Sequence, residues 1–423
     1  LVDGDIATAA TKAQTVPFPA MFPHDVAWRG PLAIYRDAVS SRTESADEFH
    51  FAAAITVLGL LLGRHHYVDL TYAHYPNFFS VLVGPTARVK KSAAMRCACD
   101  NLLIPIAGSR LGTMIVLSQG MAGSGEGLLQ QVADDGKAKL KGRSLLIYEE
   151  EVSTVLNKMR QDGSTLGSFL LQAADSQPVL TLSTRRRPLT AIMPTIGFLS
   201  ATTADGLRED IVSGDVRRGL VNRCLWFWGR DKARVDIPRM WEAKPLFDRL
   251  REDLSWLPRL PALKGMEMPI APEAEASLSA WRDVHLDRPF LTGTAEAAVA
   301  RAYSHLLKIA LLYAVLERCE CIDESHIVAA GSVVEYCVAV TEHLFLSVSG
   351  DPEARAGRAI ISYLDGLVDE NGRRMSIRIP SLHNATVPDL SVVKLARVLK
   401  SLHDTHYILL DNIRGTVRAR AVR

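Results

Sequence analysis

Four groups of residues could do chemistry, and the first is the stretch FFSVLVGPTARVKKSAAM at 78–95. An apolar run ending in Gly84, followed by a turn and then Lys91-Ser92, has the order of a phosphate-binding loop: strand, tight turn, helix N-terminus. In such a loop successive backbone N–H groups point into one concavity, a lysine reaches the β- and γ-phosphates, and a hydroxyl binds Mg2+. Against the pattern G-x-x-x-x-G-K-[ST] the turn is one residue longer, and Lys90 stands where the second glycine belongs. The register that keeps the chemistry gives the nucleotide Gly84, Pro85, Thr86, Ala87, Arg88, Val89, Lys90, Lys91, Ser92 and Ala93. Lys91 is then the phosphate lysine and Ser92 the Mg2+ hydroxyl. A plain strand–turn–helix with a basic surface turn has the same local signature, so the loop alone decides nothing.

The second group is SLLIYEEE at 144–151, an apolar strand that ends in three carboxylates. One carboxylate can position Mg2+ through water while the next polarises the attacking water, which assigns Glu149 to the metal and Glu150 to the base. The third group closes the apolar run PTIGFLSATT with Ser200, Thr202 and Thr203, polar side chains that can orient the water or sense the γ-phosphate. The fourth, SGDVRRGLVNRCLWFW, offers Arg217, Arg218 and Arg223 ahead of an aromatic strand. An arginine delivered to the γ-phosphate, from the same chain or from a neighbour, contributes ~10³ to 10⁵ in rate, and Arg223 is the best placed of the three.

These groups need a scaffold that brings strand ends together. From Asn77 to Arg230 short β-rich runs alternate with helical ones, which predicts an α/β unit with a largely parallel sheet. PVLTLSTRRRPLTAIM departs from that rhythm and reads as a hairpin with Arg185, Arg186 and Arg187 at its tip. Helices are expected before this unit, over residues 17–75, and after it, over 238–350, where long periodic runs rich in Ala and Leu should pack on one another. The predicted divisions are a helical region 1–75, an ATPase core 76–232, a second helical region 233–350 and a DNA-binding domain 351–423. The last reads as helix, basic turn, helix, then strand and turn, the order of a winged helix-turn-helix.

At 423 residues the chain is long enough for several domains, and 48% hydrophobic with 23% charged residues excludes a disordered or fibrous protein. The longest apolar run, FAAAITVLGLLLG at 51–63, is too short for a membrane span of about 20 residues. Six cysteines lack zinc-like spacing, and no secretory signal opens the sequence, so free thiols and a cytoplasmic home are expected. The net charge of +2 hides an asymmetry: residues 351–423 carry 12 Lys/Arg against 8 Asp/Glu, leaving the remainder net negative. That balance suits a nucleic-acid-facing C-terminal end, although a solvated basic face has the same composition.

The four blocks, in this order, resemble a P-loop ATPase family long catalogued as a domain of unknown function, common in phages, plasmids and integrated elements and often joined to primases. The resemblance covers residues 17–345 and includes the Pro-Asn pair of YPNFFSVLVG and the block IVLSQGMAGSGEGLLQQVADD, in which Ser124 and Glu126 open a helix. Many members of that family have the longer loop with a basic pair, as in RVKKS. The resemblance implies a RecA/AAA-like core that binds ATP and Mg2+, a helicase-like motor acting on DNA, and a homo-oligomer, commonly a ring such as a hexamer. Glu149-Glu150 where the family has Asp-Glu, Lys90 in the loop, and Ala93 in place of a small hydroxyl residue are this chain's departures.

DNA, single-stranded or duplex, would meet basic side chains in two places. One is the hairpin tip with Arg185, Arg186 and Arg187; KAKLKGR, with Lys137, Lys139, Lys141 and Arg143, is a weaker neighbour. The other is the C-terminal end, where Lys394, Arg397 and Lys400 fall on neighbouring helical turns and Arg414, Arg418 and Arg420 on the wing. Such residues contact phosphates rather than bases, which predicts sequence-tolerant, salt-dependent binding. The expected activity is an ATP-hydrolysing DNA motor of a mobile element or phage replication system. The alternative is a nucleotide-gated DNA-binding switch that recruits another protein of a mobile element or defence system.

Overall fold

The computed structural model describes residues 21–85, 89–120, 123–133, 141–182, 188–204, 206–207, 219–257, 265–285, 299–345, 352–367, 375–404, 408–413 and 416–421. Its centre is a five-stranded, all-parallel sheet. The strands are β1 (Phe79–Val83), β2 (Ile115–Gln119), β3 (Ser144–Glu149), β4 (Thr195–Thr202) and β5 (Leu225–Trp228), in the order β2-β3-β4-β1-β5. β1, β3 and β4 are buried at every residue, which is why each reads as an unbroken apolar run rather than an alternating one. β4 therefore separates the strand leading to Gly84 from the strand carrying the glutamates. Its register fixes their relative height: Val81 pairs with Ser200, and Ser200 with Glu149.

Helix α1 (Asp47–Leu62) is apolar on all sides and buried at every residue except Asp47, as befits a helix enclosed by the core. It seats on the sheet through Thr56, whose Oγ1 donates to Ser80 Oγ at 2.8 Å. Gly59 permits the approach, since a Cβ there would lie 1.9 Å from the carbonyl oxygen of Pro76. α2 (Lys91–Ala98) follows β1, and α3 (Gly125–Val132) follows β2, capped by Ser124, whose Oγ accepts the Gly127 N–H at 3.0 Å. α4 (Val152–Arg160) and α5 (Leu166–Ala174) follow β3 and lead to an antiparallel hairpin, Val179–Leu182 with Leu189–Ile192. The hairpin stands where the alternating pattern placed it.

α6 (Ala302–Leu316) and α7 (Glu324–Phe345) are also mostly buried. α7 is long and apolar enough to cross a membrane, but 67% of its apolar window is buried inside the fold, so here it is a core helix. It packs on β5: Trp226 and Phe345 meet edge-to-face at 4.8 Å, and the Tyr336 hydroxyl donates to the Trp228 carbonyl at 2.6 Å while accepting the Trp228 N–H at 3.0 Å. One continuous hydrophobic core runs from Phe22 to Phe345, so the segments divided by sequence at 75 and 232 are layers of a single body.

The C-terminal residues have a separate core built on Ile360, Leu364, Leu382, Leu395, Leu399 and Leu402. The elements are α8 (Pro352–Asp365), β6 (Ile377–Arg378), α9 (Ile379–Thr386), α10 (Val392–Asp404), β7 (Ile408–Ile413) and β8 (Thr416–Ala421), with β8 central in an antiparallel sheet. The sequence reading lacked β6 and α9. Pro380 in the first turn of α9 looks like a breaker, yet that turn tolerates proline because its N–H has no intrahelical partner.

Candidate functional site

Because all five strands run the same way, their carboxyl ends share one edge, the edge where open α/β sheets bind ligands. β1 continues into Gly84, whose N–H donates to the Thr202 carbonyl at 3.3 Å. A Cβ on Gly84 would sit 2.7 Å from Val89 Cγ2 and 3.3 Å from Phe49 Cζ, so the loop closes over a position without a side chain. Pro85 follows; Thr86, Ala87 and Arg88 lie outside the described residues. Val89 is fully buried and returns the chain toward α2.

Lys90 is in the left-handed region, φ 47° and ψ 49°, immediately before α2. It thus adopts the conformation that the missing glycine would have supplied. Lys91 is the first residue of α2, and its Nζ folds back to donate to the carbonyls of Gly84 at 2.8 Å and Pro85 at 3.4 Å. Burial lowers the pKa of this ammonium, and the nearby Glu151 only partly offsets the effect. A half-buried cation beside the unpaired N–H groups of a helix start can accept an anion of several oxygens. Ser92 is half-buried in the first turn, and Ala93 is exposed.

Glu149 ends β3 with 5% exposure, and Ser200 stands opposite it on β4 with no exposure at all. Residues paired in register face the same side of a sheet. Ser200 Oγ has no hydrogen-bond partner among the described residues. Two residues on, Thr202 Oγ1 donates to the Thr203 carbonyl at 3.3 Å, and Thr203 Oγ1 accepts the Gly206 N–H at 3.0 Å. Glu150 is exposed, and its Oε1 lies 4.0 Å from Arg96 Nη2 of α2. The edge therefore gathers Gly84, Lys91, Ser92, Glu149, Glu150, Ser200 and Thr202 from four elements. Hydroxyl and carboxylate oxygens are hard donors of the kind Mg2+ takes, and the partnerless Ser200 hydroxyl beside Glu149 fits a polar group bound there.

Arg223 is not part of this gathering. It lies in the turn Val221–Arg223 at the amino end of β5, and the span to Trp228 places it roughly 15 Å from the carboxyl edge. The expectation that it completes the site is corrected for a single chain. It is instead ion-paired with Asp175, Nε to Oδ1 at 3.0 Å and Nη2 to Oδ2 at 2.6 Å, and Arg301 reaches the same carboxylate at 3.2 Å. Beside them Lys308 Nζ donates to Asn77 Oδ1 at 2.9 Å and to the Ala174 carbonyl at 3.0 Å, and burial pushes its pKa down to about 7. The Pro-Asn pair before β1 thus ties the start of β1 to α5 and α6. Arg217 and Arg218 lie outside the described residues.

The sequence reading missed the segment before α1. Ser45 Oγ donates to the Lys90 carbonyl at 2.9 Å, and Glu44 Oε2 lies 4.0 Å from Lys90 Nζ. Lys232, just past β5, pairs with Asp47 at 2.6 Å, and Glu48 is buried, its carboxyl pushed up to about 7 by desolvation. No local signal links residues 44–48 to a loop some forty positions away. A second cluster, Glu317, Cys319 and His326, has ligand atoms within 4.8 Å of one another. Glu317 is already bound by Arg29 at 2.7 and 2.9 Å; desolvation opposes its charge, but these bonds and His326 carry its pKa down to about 2. A guanidinium fills the place of a cation there.

Among the basic residues proposed for nucleic acid, Lys394, Arg397 and Lys400 are exposed on α10, opposite the buried Leu395, Val398, Leu399 and Leu402. Arg418 is half-buried and donates to Ser376 Oγ at 2.9 Å and to the Ser376 carbonyl at 2.6 Å, which fastens β8 to the chain before β6. Arg420 is exposed and lies 3.5 Å from Asp411. Arg185, Arg186, Arg187 and Arg414 lie outside the described residues. No family model matches this chain, and no curated protein matches it.

Proposed function

We propose that this chain is a P-loop ATPase of the RecA/AAA-like kind, an ATP-hydrolysing motor directed at DNA in a mobile element or phage replication system. The observation that carries the reading is the position of Lys91 at the first turn of the helix after β1, its ammonium over the Gly84 carbonyl, on the edge where the glutamate strand also ends. Lys91 and the N–H groups of α2 hold the phosphates, and Lys91 exchanges two carbonyl acceptors for phosphate oxygens. Ser92 and Glu149 supply the oxygens for Mg2+, which when bound neutralises phosphate charge. Glu150 takes the proton of the attacking water, and Ser200 and Thr202 orient it. Arg223, at the opposite edge of the sheet and ion-paired with Asp175, is left out of this site, and a homo-oligomer such as a ring remains part of the proposal without it.

The C-terminal helix–strand–helix–helix–hairpin order supports a winged helix, with Lys394, Arg397 and Lys400 of α10 turned toward DNA phosphates. ATP hydrolysis by the intact chain, with and without single-stranded and duplex DNA, tests the reading beside Lys91→Ala and Glu150→Gln. DNA-stimulated hydrolysis that both substitutions abolish supports a motor; hydrolysis unaffected by Lys91→Ala refutes the site.

One observation favours the second reading, a nucleotide-gated DNA-binding switch. Glu150 is exposed and near Arg96, whose charge competes for the carboxylate a base must keep available. ATP-dependent DNA binding without turnover or strand separation is its signature.

A further inference from the structure

We infer that Ser45 is a positioning residue of the phosphate loop, taking over the task of the absent second glycine by holding Lys90 in the left-handed conformation. The inference rests on the nucleotide reading and goes beyond it, because residue 45 lies outside every loop motif and in a different element. A residue with a Cβ resists the left-handed region, and Lys90 occupies it with φ 47°. Something must therefore over-determine that conformation.

The Lys90 carbonyl shows what does. It accepts the Ala93 N–H at 3.1 Å and the Ala94 N–H at 3.4 Å from within α2, and from outside it accepts the Ser45 hydroxyl at 2.9 Å. Ser45 is fully buried, so its hydroxyl has no water alternative. A trans peptide is planar, and its C=O and N–H point in opposite directions. Pinning the Lys90 carbonyl therefore aims the Lys91 N–H the other way, off the body of the helix.

Ser45 is itself anchored on both sides. Glu44 accepts the Val235 N–H at 3.3 Å while lying 4.0 Å from the Lys90 ammonium. Asp47 accepts from Ser40 Oγ at 2.7 Å and from Lys232 at 2.6 Å. Residues 40–47 form a strap between the phosphate loop and the segment leaving β5. β5 is joined to β1 at the same level, where the Gly229 N–H donates to the Val83 carbonyl at 3.0 Å. The conformation of Lys90 is thereby tied to the exit of β5, which runs on into the helical half of the body.

The test is a four-protein cycle on the full chain: parent, Ser45→Ala, Lys90→Gly and the double variant. Each is titrated with ATP and Mg2+ and melted without nucleotide. Ser45→Ala should weaken ATP binding about tenfold. Lys90→Gly, whatever its own affinity, is the reference for the double variant, because glycine needs no support in that region. The double variant should bind like Lys90→Gly, a rescue that a merely structural serine would not give. Unchanged binding in Ser45→Ala, or a double variant that falls below Lys90→Gly by the same factor as Ser45→Ala falls below the parent, overturns the inference. A parent that does not bind ATP refutes the nucleotide reading itself. The melts then decide the Ser45–Lys90 clamp separately: a loss of melting temperature from Ser45→Ala that disappears beside Gly at 90 supports it, and additive losses overturn it.

Discussion

Glu149 and Ser200 stand directly opposite one another on adjacent parallel strands, one an almost fully buried carboxylate and the other a buried hydroxyl without a partner among the described residues. A hydroxyl left in that state costs about 1 to 3 kcal/mol, so it is retained against stability. Ser200→Ala should raise the unfolding free energy by about 1 kcal/mol in urea and lower ATP turnover at least about tenfold, with ATP binding changed little. A loss of stability in Ser200→Ala would mean that the hydroxyl is satisfied within the fold, and the argument for its role beside Glu149 would fail.

Two glycines should behave differently under the same substitution. At Gly59 the new methyl meets the Pro76 carbonyl, part of the backbone, at 1.9 Å, and neither side can yield without moving α1 off the sheet. Gly59→Ala should cost at least about 3 kcal/mol and lower the yield of folded protein. At Gly84 the obstacle is a methyl of Val89 at 2.7 Å, so the loop shifts instead. Gly84→Ala should cost about 1 to 2 kcal/mol and weaken ATP binding further than that stability loss explains. Urea unfolding beside ATP titration separates the two.

Two buried histidines, His50 and His74, and the half-buried His305 make the body sensitive to acid. His50 and His305 are brought down to about 3 and His74 to about 4, in each case chiefly by desolvation. Between these values and the ordinary 6.5 the unfolded chain binds more protons than the folded one, so stability is complete above about pH 6.5 and falls as pH drops toward 4. Glu48, raised to about 7, acts in the opposite sense over the same window, but it is one group against three. Urea midpoints between pH 4.5 and 7 should fall with acidification, and less steeply in His50→Gln.

The exposed bases of α10 and the tethered base of β8 should separate in salt. Lys394→Ala, Arg397→Ala and Lys400→Ala should each weaken duplex binding and reduce the slope of log K against log salt by up to about 0.9. Arg418→Ala removes two hydrogen bonds to Ser376 and should lower the stability of the C-terminal unit while leaving the slope nearly unchanged. Equal slope changes at all four positions would place Arg418 on the DNA.

The sheet and its site were legible to different degrees for a physical reason. All five strands of the sheet follow from apolar runs bounded by Gly, Pro or polar residues, and β1, β3 and β4 are the plainest because fully buried parallel strands have no polar face to confuse the pattern. The positions of Gly84, Glu149 and Ser200 by the carboxyl ends of strands were legible because each closes such a run, and that of Lys91 because a helix start follows the turn. The place of Arg223 was not: a run preceding a strand gives no account of which sheet edge it starts from or which carboxylate waits there, and Asp175 lies 48 residues away. Ser45 was hidden for the same reason. The boundaries at 75 and 232 followed changes of periodicity, but a core ignores such changes when helices on both sides bury the same sheet.

The hydroxyl of Tyr336 answers both the N–H and the carbonyl of Trp228, on the side of β5 away from β1. To those two groups it presents what another strand would present. A phenol there acts as a chain terminator does in a polymerisation: the sheet cannot recruit a sixth member at that position while the phenol remains. Copies of this chain that assemble therefore do not extend the sheet past Trp228 of β5.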